Sequence, residues 1–153
     1  MTSDVLADTD ATLVIKRRFD APIEAVWRAF TTPETYAAWW GPKGWDVPSI
    51  TLQPYVGGVH RVQMREIETG YRNTITGTYT VVEAPTRLVY SWTWSDGPIA
   101  GIETEVEITL APDGTGTMLN VEHRGLGSVE MRDKHQDGWS GSFDCLAATL
   151  VQG

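Results

Sequence analysis

Residues 128 to 150 read "SVEMRDKHQDGWSGSFDCLAATL". At 3.6 residues per turn this stretch is one long helix, from about Ser128 to Leu150, with two unlike strips side by side. Trp139, Phe143, Leu146 and Leu150 form a ridge of large apolar groups, and Gly138, Ser142, Cys145 and Thr149 form a strip of small ones. A helix that only filled space against a sheet would carry large residues across its whole buried stripe. The small strip leaves room either for large sheet residues such as Trp92 and Trp94 or for a cavity.

What precedes this helix is β-rich for almost eighty residues from Asp46 onward. Turn signals fall at Gly57-Gly58, around Gly70, at Ala84-Pro85, at Asp96-Gly97-Pro98 and at Pro112-Asp113-Gly114. They mark sequential hairpins, so the sheet is expected to be antiparallel. Alternation puts Leu88, Tyr90, Trp92 and Trp94 on one face, and Thr104, Val106, Ile108 and Leu110 opposite Glu103, Glu105 and Glu107. The acidic side reads as a solvated ladder or a docking strip for a basic partner.

Upstream, "ATLVIKRRF" (11–19) alternates into a first strand, and "DAPIEAVWRAF" (20–30) changes to helical period with Ile23, Val26, Trp27 and Phe30 on one face. Pro22 suits the first turn. "TTPETYAAWW" (31–40) repeats the pattern with Thr32 as N-cap and Pro33 at N1, until Gly41-Pro42 stops it. The result is an α+β chain: strand, two short helices, six antiparallel strands and one long C-terminal helix.

At 153 residues the chain fits one domain, with residues 1–10 a flexible acidic arm and 11–153 the folded unit. Twelve Lys plus Arg against twenty Asp plus Glu give a net charge of -8, which repels phosphate backbones and anionic bilayers. Neither nucleic acid nor membrane is expected as a partner. Cys145 is the single cysteine, so no intramolecular disulfide is available. With no basic residue before Lys16, the N-terminus lacks a signal-peptide start, and the expected location is cytoplasmic.

Four stretches, "FDAPIEAVWRAFTTPETYAAWWGPKGW" (19–45), "GGVHRVQMR" (57–65), "TGTYTVVEAPTRLVYSWTW" (76–94) and "HQDGWSGSFDCLAATL" (135–150), carry a resemblance. In content and spacing they are similar to the activator of heat shock protein 90 ATPase homologue family, within the START and birch-pollen-allergen-like superfamily. The Trp-Trp-Gly-Pro and the late His-x-x-Gly-Trp are its distinctive parts. The resemblance implies a helix-grip fold, in which a curved antiparallel sheet of about seven strands wraps a long C-terminal helix. It also implies one of three roles: binding an apolar or aromatic small molecule between sheet and helix, cyclase or hydrolase-like catalysis in the same cavity, or regulation of a chaperone ATPase. The co-chaperone relatives carry a separate N-terminal domain that this sequence does not show, so a chaperone partner is not expected. A homodimer stays open.

The expected ligand wall comprises Trp40, His60, Met64, Tyr79, Tyr90, Trp92, His123, Trp139 and Phe143. His60 shares an inward face with Val62 and Met64, where relatives commonly have a large apolar residue. It reads either as a satisfied structural histidine, bonded to backbone or to Tyr55, or as a polar anchor or general base inside an apolar pocket. His123 falls on the inner face with Leu119 and Val121, and would be the other acid/base candidate. The three histidines show no ligand spacing and no inward carboxylate beside them, so no metal is expected, nor any cofactor.

Overall fold

The architecture was analysed in a computed structural model that describes residues 11–152. The expected N-terminal arm, 1–10, lies outside the described residues. The elements are β1 (Leu13–Phe19), α1 (Ile23–Thr31), α2 (Pro33–Trp39), β2 (Trp45–Leu52), β3 (Val59–Glu66), β4 (Arg72–Glu83), β5 (Arg87–Trp94), β6 (Thr104–Asp113), β7 (Gly116–Arg124) and α3 (Val129–Gln152). Seven strands form one sheet in the order β1-β7-β6-β5-β4-β3-β2, antiparallel throughout. This is the helix-grip fold: a curled sheet closed on its concave side by α3, with α1 and α2 filling one end.

Local chemistry accounts for these boundaries. Pro22 is the N-cap of α1 rather than part of its first turn, and its carbonyl accepts from the amides of Ala25 and Val26. Thr32 caps α2 with Pro33 just inside it. At the far end Gly41 takes φ +95°, which an L side chain rarely adopts, and the chain leaves the helix there. Alternation along β5 and β6 buries Leu88, Tyr90, Trp92, Thr104, Val106, Ile108 and Leu110.

The opposite, outer face is not a bare acidic ladder. Arg124 reaches Glu105 at 2.7 Å and Glu107 at 3.1 Å, and Arg87 reaches Glu107 at 2.7 Å. The two guanidinium groups hold the Glu107 carboxyl below its usual range, led by the hydrogen bond from Arg87. Among the described residues no helix is long and apolar enough to cross a membrane.

α3 lays its ridge into the sheet as its pattern implies, with Trp139, Phe143 and Leu146 all buried. Phe143 packs edge-on against Phe19 of β1, and Trp39 lies 6.2 Å away at its other side. Each buried indole removes about 150 to 250 Å² from water, so this junction of α2, α3 and sheet carries a large share of the hydrophobic stabilisation.

Candidate functional site

The corner "WWGPKGW" (39–45) joins α2 to β2 beside the middle of α3. Trp39 is a structural member of it: its indole N–H donates to the carbonyl of Ala29 at 2.9 Å, tying α2 to α1. Gly41 is fixed to α3, its amide donating to Ser142 Oγ at 3.0 Å, while that hydroxyl donates to the Gly138 carbonyl at 2.9 Å. Pro42 lies against Gly141, where an added Cβ would come within 3.2 Å of the ring. Small residues on α3 let the corner approach closely.

Beside this contact a cleft of about 310 Å³ opens between α3 and the sheet. Trp40, Trp92 and Trp139 meet in its wall, with Trp40 4.8 Å from Trp139 and 5.7 Å from Trp92 between ring centroids. Met64 and Trp45 close one side, and Met131, His135, Gly138 and Ser142 of α3 the other. The small strip thus has two fates. Its first half, Gly138 and Ser142, borders the open cleft, and a Cβ built on Gly138 meets nothing within 4 Å. Its second half, Cys145 and Thr149, lies outside the cleft lining.

The mouth is braced by side-chain hydrogen bonds. Asn73 accepts from Ser95 Oγ and from the Asp96 amide and donates to the Asp96 carbonyl, each at 3.0 Å. Tyr71 donates to the Asp96 carboxylate at 2.6 Å. Those four contacts hold the β5–β6 loop, whose Pro98 and Ile99 supply the outer lip. Lys134 of α3 stands opposite.

Two histidines have both ring nitrogens committed. Trp139 donates to His123 Nδ1 at 3.2 Å, so the His123 proton sits on Nε2 and goes to Thr104 Oγ1 at 2.8 Å. The Thr104 hydroxyl in turn donates to the Trp92 carbonyl at 2.8 Å. Burial, with the nearby His135 and Arg124 adding to it, pushes His123 well below the usual imidazole range. His135 donates from Nδ1 to the Met131 carbonyl at 2.7 Å and accepts at Nε2 from the Trp94 indole at 2.9 Å. Both imidazoles are neutral braces between α3 and the sheet. Acid/base work at His123 would first have to break the bonds that hold Trp139 and Thr104.

Of the nine residues expected to form the wall, Trp40, Met64, Trp92 and Trp139 line the cleft. His60, Tyr79 and Tyr90 lie together behind Trp40, fully buried, and His123 and Phe143 lie beneath the Trp139 side. Neither His60 nitrogen has a well-formed hydrogen-bond partner, Tyr55 included, and its own backbone acts on it only weakly. Burial drives it down to about 3. Tyr71, Asn73, Asp96, Pro98 and Ile99 were not among the expected residues. The Asp-Gly-Pro turn signal marked that loop but says nothing about where its tip folds.

The sequence model described as "Activator of Hsp90 ATPase homolog 1-like protein" matches residues 20–151. No curated protein matches the chain. Among solved structures, the AHSA1 protein of Silicibacter pomeroyi is 31% identical, covering 92% of this chain and 98% of its own, with a TM-score of 0.83. A protein of Chromobacterium violaceum is 27% identical over 91% of this chain and 96% of its own, TM-score 0.83. One from Rhodobacter sphaeroides is 26% identical over 94% of each chain, TM-score 0.80.

Proposed function

The chain belongs to the activator of Hsp90 ATPase homolog 1-like family, and from that premise together with the cleft we propose that it is a START-like protein that binds an apolar, aromatic small molecule between the sheet and α3. The observation that carries this reading is the three-tryptophan wall facing open space at Gly138. A protein that needed only a packed core would place a side chain at position 138, where a Cβ has room and a glycine costs helix stability of about 1 kcal/mol. Aromatic faces offset from one another by 36° to 79° offer a planar guest both stacking and edge contacts.

The cytoplasmic location belongs to the same reading: the ligand would be taken from the soluble phase rather than from a bilayer. Binding is tested by titrating the folded protein with Nile red. The expected result is saturable, stoichiometric binding with a blue-shifted dye emission and quenching of tryptophan fluorescence. Absence of saturable binding by Nile red and by a panel of aromatic hydrocarbons would sink the proposal.

A further inference from the structure

Eight buried side-chain polar atoms among the described residues have no hydrogen-bond partner, and seven of them belong to one aromatic cluster: Tyr36 Oη, Trp40 Nε1, both His60 nitrogens, Tyr79 Oη, Tyr90 Oη and Trp92 Nε1. The rings form an unbroken series. Tyr36 stacks on Trp40 at 5.2 Å, stands edge-on to His60 at 5.8 Å, and His60 in turn stacks on Tyr90 at 4.1 Å with Tyr79 at 5.6 Å. The Tyr36 and Tyr90 hydroxyls lie close enough to act on each other's ionisation as a weak hydrogen bond, but the contact falls short of full hydrogen-bond geometry. Each unmet buried group costs about 1 to 3 kcal/mol. Even without the Tyr36 and Tyr90 hydroxyls, five in one place exceed the scatter expected of a native interior.

The cluster adjoins the cleft. Trp40 and Trp92 belong to both, and along the inner face of β5 the step from Trp92 to Tyr90 is two residues, or about 7 Å. Trp40 and Trp92 also differ from the other buried indoles. Trp39 and Trp139 are each anchored through Nε1, to Ala29 and His123, whereas the Nε1 of Trp40 and that of Trp92 have no partner. Trp40 therefore stands between the cleft and the cluster with its Nε1 unbonded, lining the first and stacked on Tyr36 of the second.

The chemistry of the cluster is lopsided. A neutral imidazole offers one donor and one acceptor, each phenol one donor and an acceptor oxygen, and each indole a donor only. Six donors face four acceptor groups, so a visitor that satisfies the set must bring acceptors. Burial keeps His60 uncharged at neutral pH and raises all three tyrosines, which leaves no charge to meet an anion.

We propose that the cluster of Tyr36, His60, Tyr79 and Tyr90 is the polar end of the ligand site and selects neutral aromatic ligands that carry a hydrogen-bond acceptor such as a carbonyl oxygen. The aromatic body lies in the cleft against Trp92 and Trp139, and the oxygen reaches past Trp40 to the donors of His60 and the phenols. This rests on the small-molecule reading of the cleft and adds to it the ligand's functional group and the residues that recognise it.

The test compares 9-fluorenone with fluorene, two rings of the same shape of which only the first has the oxygen. Affinities are measured by tryptophan quenching for the wild-type chain, for Tyr90→Phe and Tyr36→Phe, which delete one oxygen each, for His60→Phe, and for Gly138→Leu, with thermal melts checking that each is folded. Expected is a preference for fluorenone of about 5-fold to 150-fold, the range of one buried hydrogen bond. That preference should be lost in His60→Phe and reduced in the tyrosine variants, while fluorene binds all three as it binds the wild type. Equal affinity for both compounds, with both lost in Gly138→Leu, leaves the cleft reading standing and overturns the polar-end proposal. Failure of both compounds to bind overturns the cleft reading and the polar-end proposal with it. Should His60→Phe fail to fold, the single-oxygen tyrosine deletions decide by the same comparison.

Discussion

His60 on β3 stacks face to face on Tyr90 of β5, their ring centroids 4.1 Å apart and their planes 18° from parallel. The two strands are not neighbours. β4 runs between them, and the residue paired with His60 in β4 is Gly77. His60 thus reaches across β4, at the level of Gly77, to Tyr90.

Gly77→Ala should be severely destabilising. A Cβ there would collide with the Ser91 carbonyl of β5, a backbone group that cannot give without opening the β4–β5 ladder. The expected loss is about 3 kcal/mol or more, read by urea unfolding or by failure to recover soluble protein. An alanine variant as stable as the wild type would show that the two strands do not approach this closely.

Acid should unfold the protein earlier than its carboxylates alone would. In the folded state His60 is held near 3, below the unfolded value of about 6.5, so the unfolded chain accepts a proton that the folded chain refuses. Stability is complete above about pH 6.5 and falls as the pH drops toward 3. His123 and His135 shift in the same direction, whereas Asp46 and Glu107, both lowered, act only below about pH 4. Between pH 7.5 and pH 5, His60→Phe should lose about 2 kcal/mol less than the wild type in urea unfolding. An identical pH dependence in the two proteins would mean that His60 is hydrated and titrates normally.

Position 138 separates helix stability from cleft occupancy. Gly138→Ala should raise unfolding free energy by about 0.5 to 1 kcal/mol, since its Cβ meets open space and the chain loses a flexible residue. Gly138→Leu should stay folded and abolish Nile red binding by filling the space beside Trp139. Retention of dye affinity in a folded leucine variant would place the dye elsewhere.

Ser142→Ala removes the acceptor of the buried Gly41 amide. An amide left unpaired there should cost about 1 to 3 kcal/mol, with the loss seen in thermal unfolding. Ser142→Thr, which keeps the oxygen, should recover most of it. If alanine cost nothing, the corner would not depend on this bond.

Local patterning alone carried the secondary structure, the antiparallel sheet and the inward faces. Those depend on periodicity, turn residues and caps, which are written within a few residues of one another. The two strips of α3 were legible for the same reason. So was the presence of a tryptophan corner, which periodicity and the Gly41-Pro42 stop placed at the end of α2. Whether the small strip was filled or open was not legible, because that depends on how far apart the curled sheet holds Trp92 and α3. Nor could alternation tell His60 from His123, both inward on strands. Only the fold sets one beside Thr104 and Trp139, which satisfy it, and the other across Gly77 from Tyr90, among hydroxyls that do not. A side chain's direction follows from its own strand, whereas its hydrogen-bond partners come from strands and helices distant in sequence.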